Sequence, residues 1–219
     1  MVSRVWRAFT ELAFAGLAVS GAAALLLGWL AREVLQGDTA RFDAQIRGLV
    51  HSHASPALTA VMCFLTELGS RFVLPALVAA ALAALWYIGW HRAVVLLAIT
   101  MAGAILLEVV LKIGFHRLRP IPYFGIPAPE SFSFPSGHAL SSFAFFATLA
   151  SLCSGRLQSR RLRILIWVVA VAVITLIGFS RIYLGVHYPT DVIAGYLTAF
   201  IWVRVIGHGD RYFQTRRER

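Results

Sequence analysis

Six runs of mostly apolar residues set the terms on which this chain can fold. They lie near positions 10–31, 71–90, 93–115, 137–154, 164–180 and 190–207, close to the twenty or so residues a helix needs to cross the hydrocarbon core of a bilayer. Backbone N–H and C=O groups cannot be left bare in lipid, so each run is expected as a helix that closes its own hydrogen bonds. Composition agrees: of 219 residues, 59% are hydrophobic and 14% charged, with a mean hydropathy of +0.75, too apolar for an ordinary soluble domain. The expected fold is all-α: a polytopic membrane bundle of six transmembrane helices forming one integral-membrane domain over 1–219. The stretch 54–69 is apolar but short, and it contains Glu67. With the polar segment 32–53 it is expected to form a short interfacial helical region between spans one and two.

Basic residues orient this arrangement. Nineteen of the twenty are arginine, Lys112 is the single lysine, and the net charge is +10. Such a charge suits nucleic acid when it forms a soluble basic face, but here it punctuates apolar runs, so no nucleic-acid partner is expected. With six spans, twelve basic residues fall on the side of the two termini and eight on the other. Three of those eight, Lys112, Arg119 and Arg181, belong to polar blocks considered below. The bias places both termini in the cytoplasm. Arg4 and Arg7 before the first run resemble a secretory leader, but the run is long and has no convincing small-residue cleavage site, so it is read as a retained span. Cys63 and Cys153 lie far apart in apolar surroundings and are read as packing residues. Trp6, Trp29, Trp86, Trp90, Trp167 and Trp202 mostly flank the spans, as in an aromatic belt.

Three polar blocks sit where apolar runs begin or end, all at the outer surface on this topology. In the first, Lys112 precedes Arg119-Pro120 by seven residues. If the helix continues, that spacing returns both cations to nearly one face, where they can share an anion, and Pro120 ends the helix beside them. Glu108, one turn before Lys112, is the expected partner of that lysine. In the second block, Pro135-Ser136-Gly137-His138 opens a span. A helix N-terminus offers free N–H groups to an anion; Gly137 lets backbone approach phosphate, and Ser136 can cap or donate. In the third, Ser180-Arg181 is followed by His187 and Asp191, four apart around Pro189. The carboxylate can then hold one imidazole nitrogen and leave the other free as a nucleophile. Taken singly, each block is also compatible with ordinary capping or interfacial anchoring. Five of the eight prolines fall between Pro120 and Pro135, so that connection is expected as a structured lid or rim over the site.

The three blocks resemble the type 2 phosphatidic acid phosphatase family: Lys112 to Arg119-Pro120, then Pro135-Ser136-Gly137-His138, then Ser180-Arg181 with His187 and Asp191. No position of the pattern is missing. The resemblance implies a lipid phosphatase in which His187, oriented by Asp191, is the nucleophile and His138 the general acid and base. Lys112, Arg119, Ser136, Gly137 and Arg181 would bind the phosphate. It implies no cofactor and no metal. The same blocks occur in vanadium-dependent haloperoxidases, which are soluble, so the apolar spans argue against that branch.

Other polar residues carry less. His116 and Arg117 occupy variable positions of the first block, with headgroup contact as one reading, and His51 with His53 forms an H-x-H pair too small to assign a zinc site. The expected partners are the bilayer and a membrane lipid phosphate, with the oligomeric state left open. Family members act on phosphatidic acid, phosphatidylglycerol phosphate, undecaprenyl diphosphate or lipid A phosphates. The arginine and alanine bias suggests a bacterial inner-membrane protein whose site faces the periplasm or exterior, with undecaprenyl diphosphate and phosphatidylglycerol phosphate as first candidates. A lipid-phosphate binding or transport protein without turnover is the alternative.

Overall fold

The structure is a computed structural model that describes residues 2–127 and 129–217, with side chains described over 16–127 and 129–216. Among the described residues the chain forms eight helices: α1 (Val2–Gln36), α2 (Ala40–Ser52), α3 (Pro56–Glu67), α4 (Val73–Tyr87), α5 (His91–Phe115), α6 (Gly137–Ser154), α7 (Arg160–Tyr183) and α8 (Pro189–Arg217). Five contain stretches long and apolar enough to cross a membrane: Gly16–Gln36 of α1, all of α5, α6 and α7, and Pro189–Arg216 of α8.

The expected second span differs. Its apolar run covers 71–90, but α4 has 15 residues and is about 22 Å long, short of the roughly 30 Å hydrocarbon core. Arg71 and Phe72 are spent in the preceding turn, and Gly89 adopts φ 75° just past the helix end. Six apolar runs thus become five long helices and a short one. The segment expected at the interface holds α2 and α3. They separate at Ser55-Pro56, where Ser55 Oγ accepts from Leu58 N at 3.3 Å and proline takes the first helical position.

Helix α6 is the centre of the bundle and packs on α5, α7 and α8. Its buried residues include Ala139, Ala144, Ala147, Ala150 and Ser142. Such small side chains let backbones approach closely, the main source of helix association where lipid removes the hydrophobic drive. Large apolar residues such as Leu25, Val110, Leu165 and Val168 face outward, as they must when the surroundings are acyl chains. Trp202 departs from the belt expectation. Its Nε1 donates to Thr100 O at 3.0 Å across α5 and α8. The ring also covers Gly103, where a Cβ would lie 2.1 Å from Trp202 Cζ2.

Two sets of contacts define the ends of the bundle. At one, Arg92 Nη2 lies 2.6 Å from Asp210 Oδ2, joining the start of α5 to the last turns of α8. At the other, Ser136 N donates to Asp191 O at 2.9 Å, joining the starts of α6 and α8. The latter end also receives the C-termini of α5 and α7. The α6–α8 approach is tight at Gly195, where a Cβ would stand 2.8 Å from Ser136 O and 3.2 Å from Leu140 N. Gly195→Ala should therefore cost about 1–3 kcal/mol through overpacking and lower the thermal unfolding midpoint in detergent. Gly207→Ala on the same helix has open space around it and should not lower the midpoint. Equal midpoints for the two variants would contradict this packing.

Candidate active site

The end of the bundle where α5 and α7 finish holds a cavity of about 1120 Å³ lined by Lys112, Arg119, Gly137, His138, Arg181 and His187. Ser136 and Asp191, completely buried, stand behind that wall, and their backbones are hydrogen-bonded. All eight residues singled out in the sequence are therefore brought to one place, from α5, α6, α7, α8 and the intervening connections. The cavity also has an apolar flank, formed by Leu74, Pro75, Val78, Ala79 and Leu82 of α4 with Met101 and Ile105 of α5. Pro127, Pro129, Glu130 and Ser131 supply its rim. The proline-rich connection thus borders the site.

His187 lies in the α7–α8 connection, immediately before the first turn of α8. Pro189 starts that helix and Asp191 reaches back to accept from Tyr188 N at 2.9 Å, half of a capping box made by a carboxylate in the first turn. The same oxygen, Asp191 Oδ2, is 3.3 Å from His187 Nδ1. On the other edge of the ring, Arg119 Nη1 is 2.9 Å from Nε2. A guanidinium has only donors. Nε2 must therefore be the accepting nitrogen, with the ring proton on Nδ1 facing Asp191. Burial, aided by the Arg119 and Arg181 cations, pushes the His187 pKa down to about 3, against the opposing pull of Asp191. The ring is neutral at ordinary pH and presents a lone pair to the cavity's cations.

The three cations are held in different ways. Lys112 Nζ contacts Glu108 Oε1 at 2.7 Å and Ser131 Oγ at 3.4 Å. Arg119 donates from Nε to Ser131 O at 2.7 Å, from Nη1 to Val186 O at 2.9 Å and from Nη2 to Ser131 Oγ at 3.0 Å. Burial lowers its pKa, opposed by Asp191 and Glu108. Arg181 donates from Nη1 to Thr66 Oγ1 at 2.5 Å, while its buried Nε has no partner among the described residues. Lys112 and Arg119 do not share a helical face as the spacing suggested. Helix α5 stops at Phe115 because His116 turns left-handed at φ 46°, ahead of Pro120. Arg119 therefore approaches from extended chain, and the two cations meet through Ser131.

The second block also differs in detail. Ser136 precedes α6 but makes no side-chain cap, and its buried Oγ is without a partner among the described residues. At Gly137 the constraint is immediate contact with Glu108: a Cβ would lie 2.1 Å from Oε1. Glycine there makes room for the carboxylate that holds Lys112. The His138 ring packs against Gly69 of the α3–α4 turn, where a Cβ would be 3.0 Å from Cδ2.

Sequence reasoning missed the support of Asp191. Ser133 Oγ donates to Asp191 Oδ2, and Arg117 Nη1 lies 2.6 Å from Oδ1. Arg117 also reaches Asp43 Oδ2 at 2.7 Å, far from the headgroup role considered for it. Asp43, fully buried on α2, further accepts from Thr190 N at 3.1 Å and Thr190 Oγ1 at 2.8 Å. His51 stacks on Tyr123 with centroids 3.9 Å apart, and His53 Nδ1 contacts Leu49 O at 2.9 Å.

The lowered His187 pKa has a stability consequence. Its unfolded value near 6.5 exceeds the folded value of about 3, so the unfolded chain binds the extra proton between them. Its contribution is present in full above pH 6.5 and lost as pH falls toward 3. The thermal midpoint of the wild type should thus fall more steeply below pH 6.5 than that of His187→Asn. Parallel pH profiles would contradict a buried neutral ring.

A family model described as the PAP2 superfamily matches residues 93–214, the segment that holds all three blocks. Phosphatidylglycerophosphatase B of Bacillus subtilis is 33% identical over 144 residues, 64% of this chain and 70% of that protein. An undecaprenyl-diphosphatase of Sulfolobus acidocaldarius is 30% identical over 161 residues, 71% of this chain and 72% of that one. The crystal structure of a transmembrane PAP2-type phosphatidylglycerolphosphate phosphatase from Bacillus subtilis superimposes with a TM-score of 0.81 at 25% identity, covering 88% of this chain and 96% of the other. The shared segment, the bundle and the polar blocks together place this multi-pass membrane protein in the PAP2 superfamily.

Proposed function

We infer that this chain, a membrane lipid phosphatase of the PAP2 type, cleaves its substrate through a phosphohistidine at His187. The observation that carries the reading is the neutral His187 ring, with Nε2 facing Arg119 in a cavity that also contains Lys112, Arg181 and His138. Nε2 attacks phosphorus, the bond from phosphorus to the leaving oxygen breaks, and His138 gives that oxygen a proton. His138 then takes a proton from water as the water oxygen displaces Nε2, which releases phosphate and restores both rings. Lys112, Arg119 and Arg181, with Ser136 and the Gly137 backbone, stabilise the charge that shifts onto the equatorial oxygens. These fixed cations supply the charge that a divalent ion would otherwise provide.

A lipid fits this cavity because its polar end is continuous with the apolar flank on α4 and α5. The phosphate sits at headgroup depth while the tail stays against the bundle. Phosphatidylglycerol phosphate and undecaprenyl diphosphate are the leading candidates, in line with the relatives' names; phosphatidic acid and lipid A phosphate follow. The arginine bias supports a bacterial inner-membrane setting with both termini cytoplasmic and the site facing the periplasm or exterior.

Phosphate release from a panel of these lipids in detergent tests the reading. Wild-type protein should turn over at least one of them with EDTA present, and folded His187→Ala should release none. Lys112→Ala, Arg119→Ala and Arg181→Ala should each lower kcat by roughly 10²–10³. Wild-type turnover by His187→Ala, or activity abolished by the chelator, would contradict the mechanism. Lipid binding without release by the wild type would favour a carrier.

A further inference from the structure

We propose that Asp43 and Arg117 are positioning residues that set how strongly Asp191 supports His187. The proposal rests on the phosphohistidine reading. Asp43 is fully buried on α2, and the PAP2 match begins only at residue 93. Its carboxylate reaches Arg117 and both the N–H and the hydroxyl of Thr190, so it is joined to the first turn of α8 by two hydrogen bonds and to the α5–α6 connection by a third. Arg117 divides its two amino groups between carboxylates: Nη2 to Asp43 at 2.7 Å and Nη1 to Asp191 at 2.6 Å. Its guanidinium lies 4.1 Å from the Tyr188 ring centroid, which stacks it between the His187 connection and α2.

The charge order is then carboxylate, guanidinium, carboxylate, imidazole. When Nε2 bonds to phosphorus, positive charge grows on the His187 ring, and Asp191 stabilises it through the proton on Nδ1. A guanidinium 2.6 Å from Asp191 would oppose that effect if its charge fell on Asp191 alone. Asp43 takes up half of the demand and holds the guanidinium in the geometry that fixes Asp191 Oδ1. Ser133 and Tyr188 N complete the cradle on Oδ2. Both oxygens of Asp191 are thus held by donors besides His187, Oδ1 by Arg117 and Oδ2 by Ser133 and Tyr188 N, which restricts its orientation. The energetic benefit appears as the reaction proceeds, because only then is the ring charged.

Kinetics on a water-dispersible short-chain lipid phosphate separate this role from a structural one. Asp43→Asn keeps the shape but removes the charge, and it should lower kcat about tenfold to a hundredfold, as loss of a histidine-orienting partner does elsewhere, with KM unchanged. The double variant Asp43→Asn/Arg117→Gln should be no slower than Arg117→Gln alone, because Asp43 acts through Arg117. If Asp43→Asn does not fold, Arg117→Lys and Arg117→Gln carry the test. Lysine keeps the charge but cannot bridge both carboxylates, so its kcat should lie between those of wild type and glutamine. Wild-type kcat in folded Asp43→Asn, a loss confined to KM or thermal midpoint, multiplicative losses in the double variant, or no ordering between lysine and glutamine would each overturn the proposal. His187→Ala run in parallel separates the two readings: a silent alanine variant beside a fully active Asp43→Asn rejects only the present inference, whereas an active alanine variant rejects the mechanism beneath it.

Discussion

The buried carboxylate of Asp191 is the junction on which the site end of this protein depends. It receives His187 Nδ1, Tyr188 N, Ser133 Oγ and Arg117, groups from the α7–α8 connection and from the chain between α5 and α6. Arg117 extends the junction to α2 through Asp43. A carboxylate in such a place is tolerable only because every contact is a donor and one is a cation. Leaving one charge of a buried pair uncompensated costs about 3–5 kcal/mol, which explains why helices that are not neighbours in sequence are held in one register there.

The bilayer supplies the complementary constraint. Along the bundle the helices meet through small residues of α6, and toward the site end through close contacts such as Gly195 against Ser136 O, which fix distances between backbones. Polar chemistry is displaced to one end, where α5 and α7 finish and α6 and α8 begin. Cations that would be costly within lipid are each held by named acceptors at that end: Lys112 by Glu108, Arg119 by Ser131 and Val186 carbonyls, Arg181 by Thr66. The short α4 contributes to the same end. Its apolar side chains and those of α5 make the cavity amphipathic, matched to a molecule with one charged and one oily end.

Much of this was legible in the sequence, for identifiable reasons. Helix type and approximate position followed from run length, since lipid permits little else. The three blocks were legible because their side chains have no inexpensive place in a membrane. What escaped was geometry that no local pattern encodes. The seven-residue spacing of Lys112 and Arg119 implied a continuous helix, but a left-handed His116 broke it, and Ser131, remote in sequence, reunites the cations. Gly137 was read for its freedom near an anion, whereas its missing side chain accommodates Glu108. Asp43 and Arg117 had no motif to mark them. A signal did exist: Asp43, Arg47 and His51 recur every four residues along α2, a polar stripe whose members reach Arg117, the Gly185 carbonyl and Tyr123. Trp202 read as a belt residue from its position near a span end, and only the α5 partner at Gly103 shows it to be a packing residue.

The central claim is that a neutral imidazole at position 187 carries the phosphoryl group. Rapid quenching of the enzyme with a phosphorus-labelled lipid substrate, followed by peptide mapping, tests it most directly. The account predicts label on the peptide containing His187, stable in alkali and lost in acid, and absent when residue 187 is alanine. Turnover at the normal rate with no labelled peptide, or label on a serine or carboxylate, would contradict it.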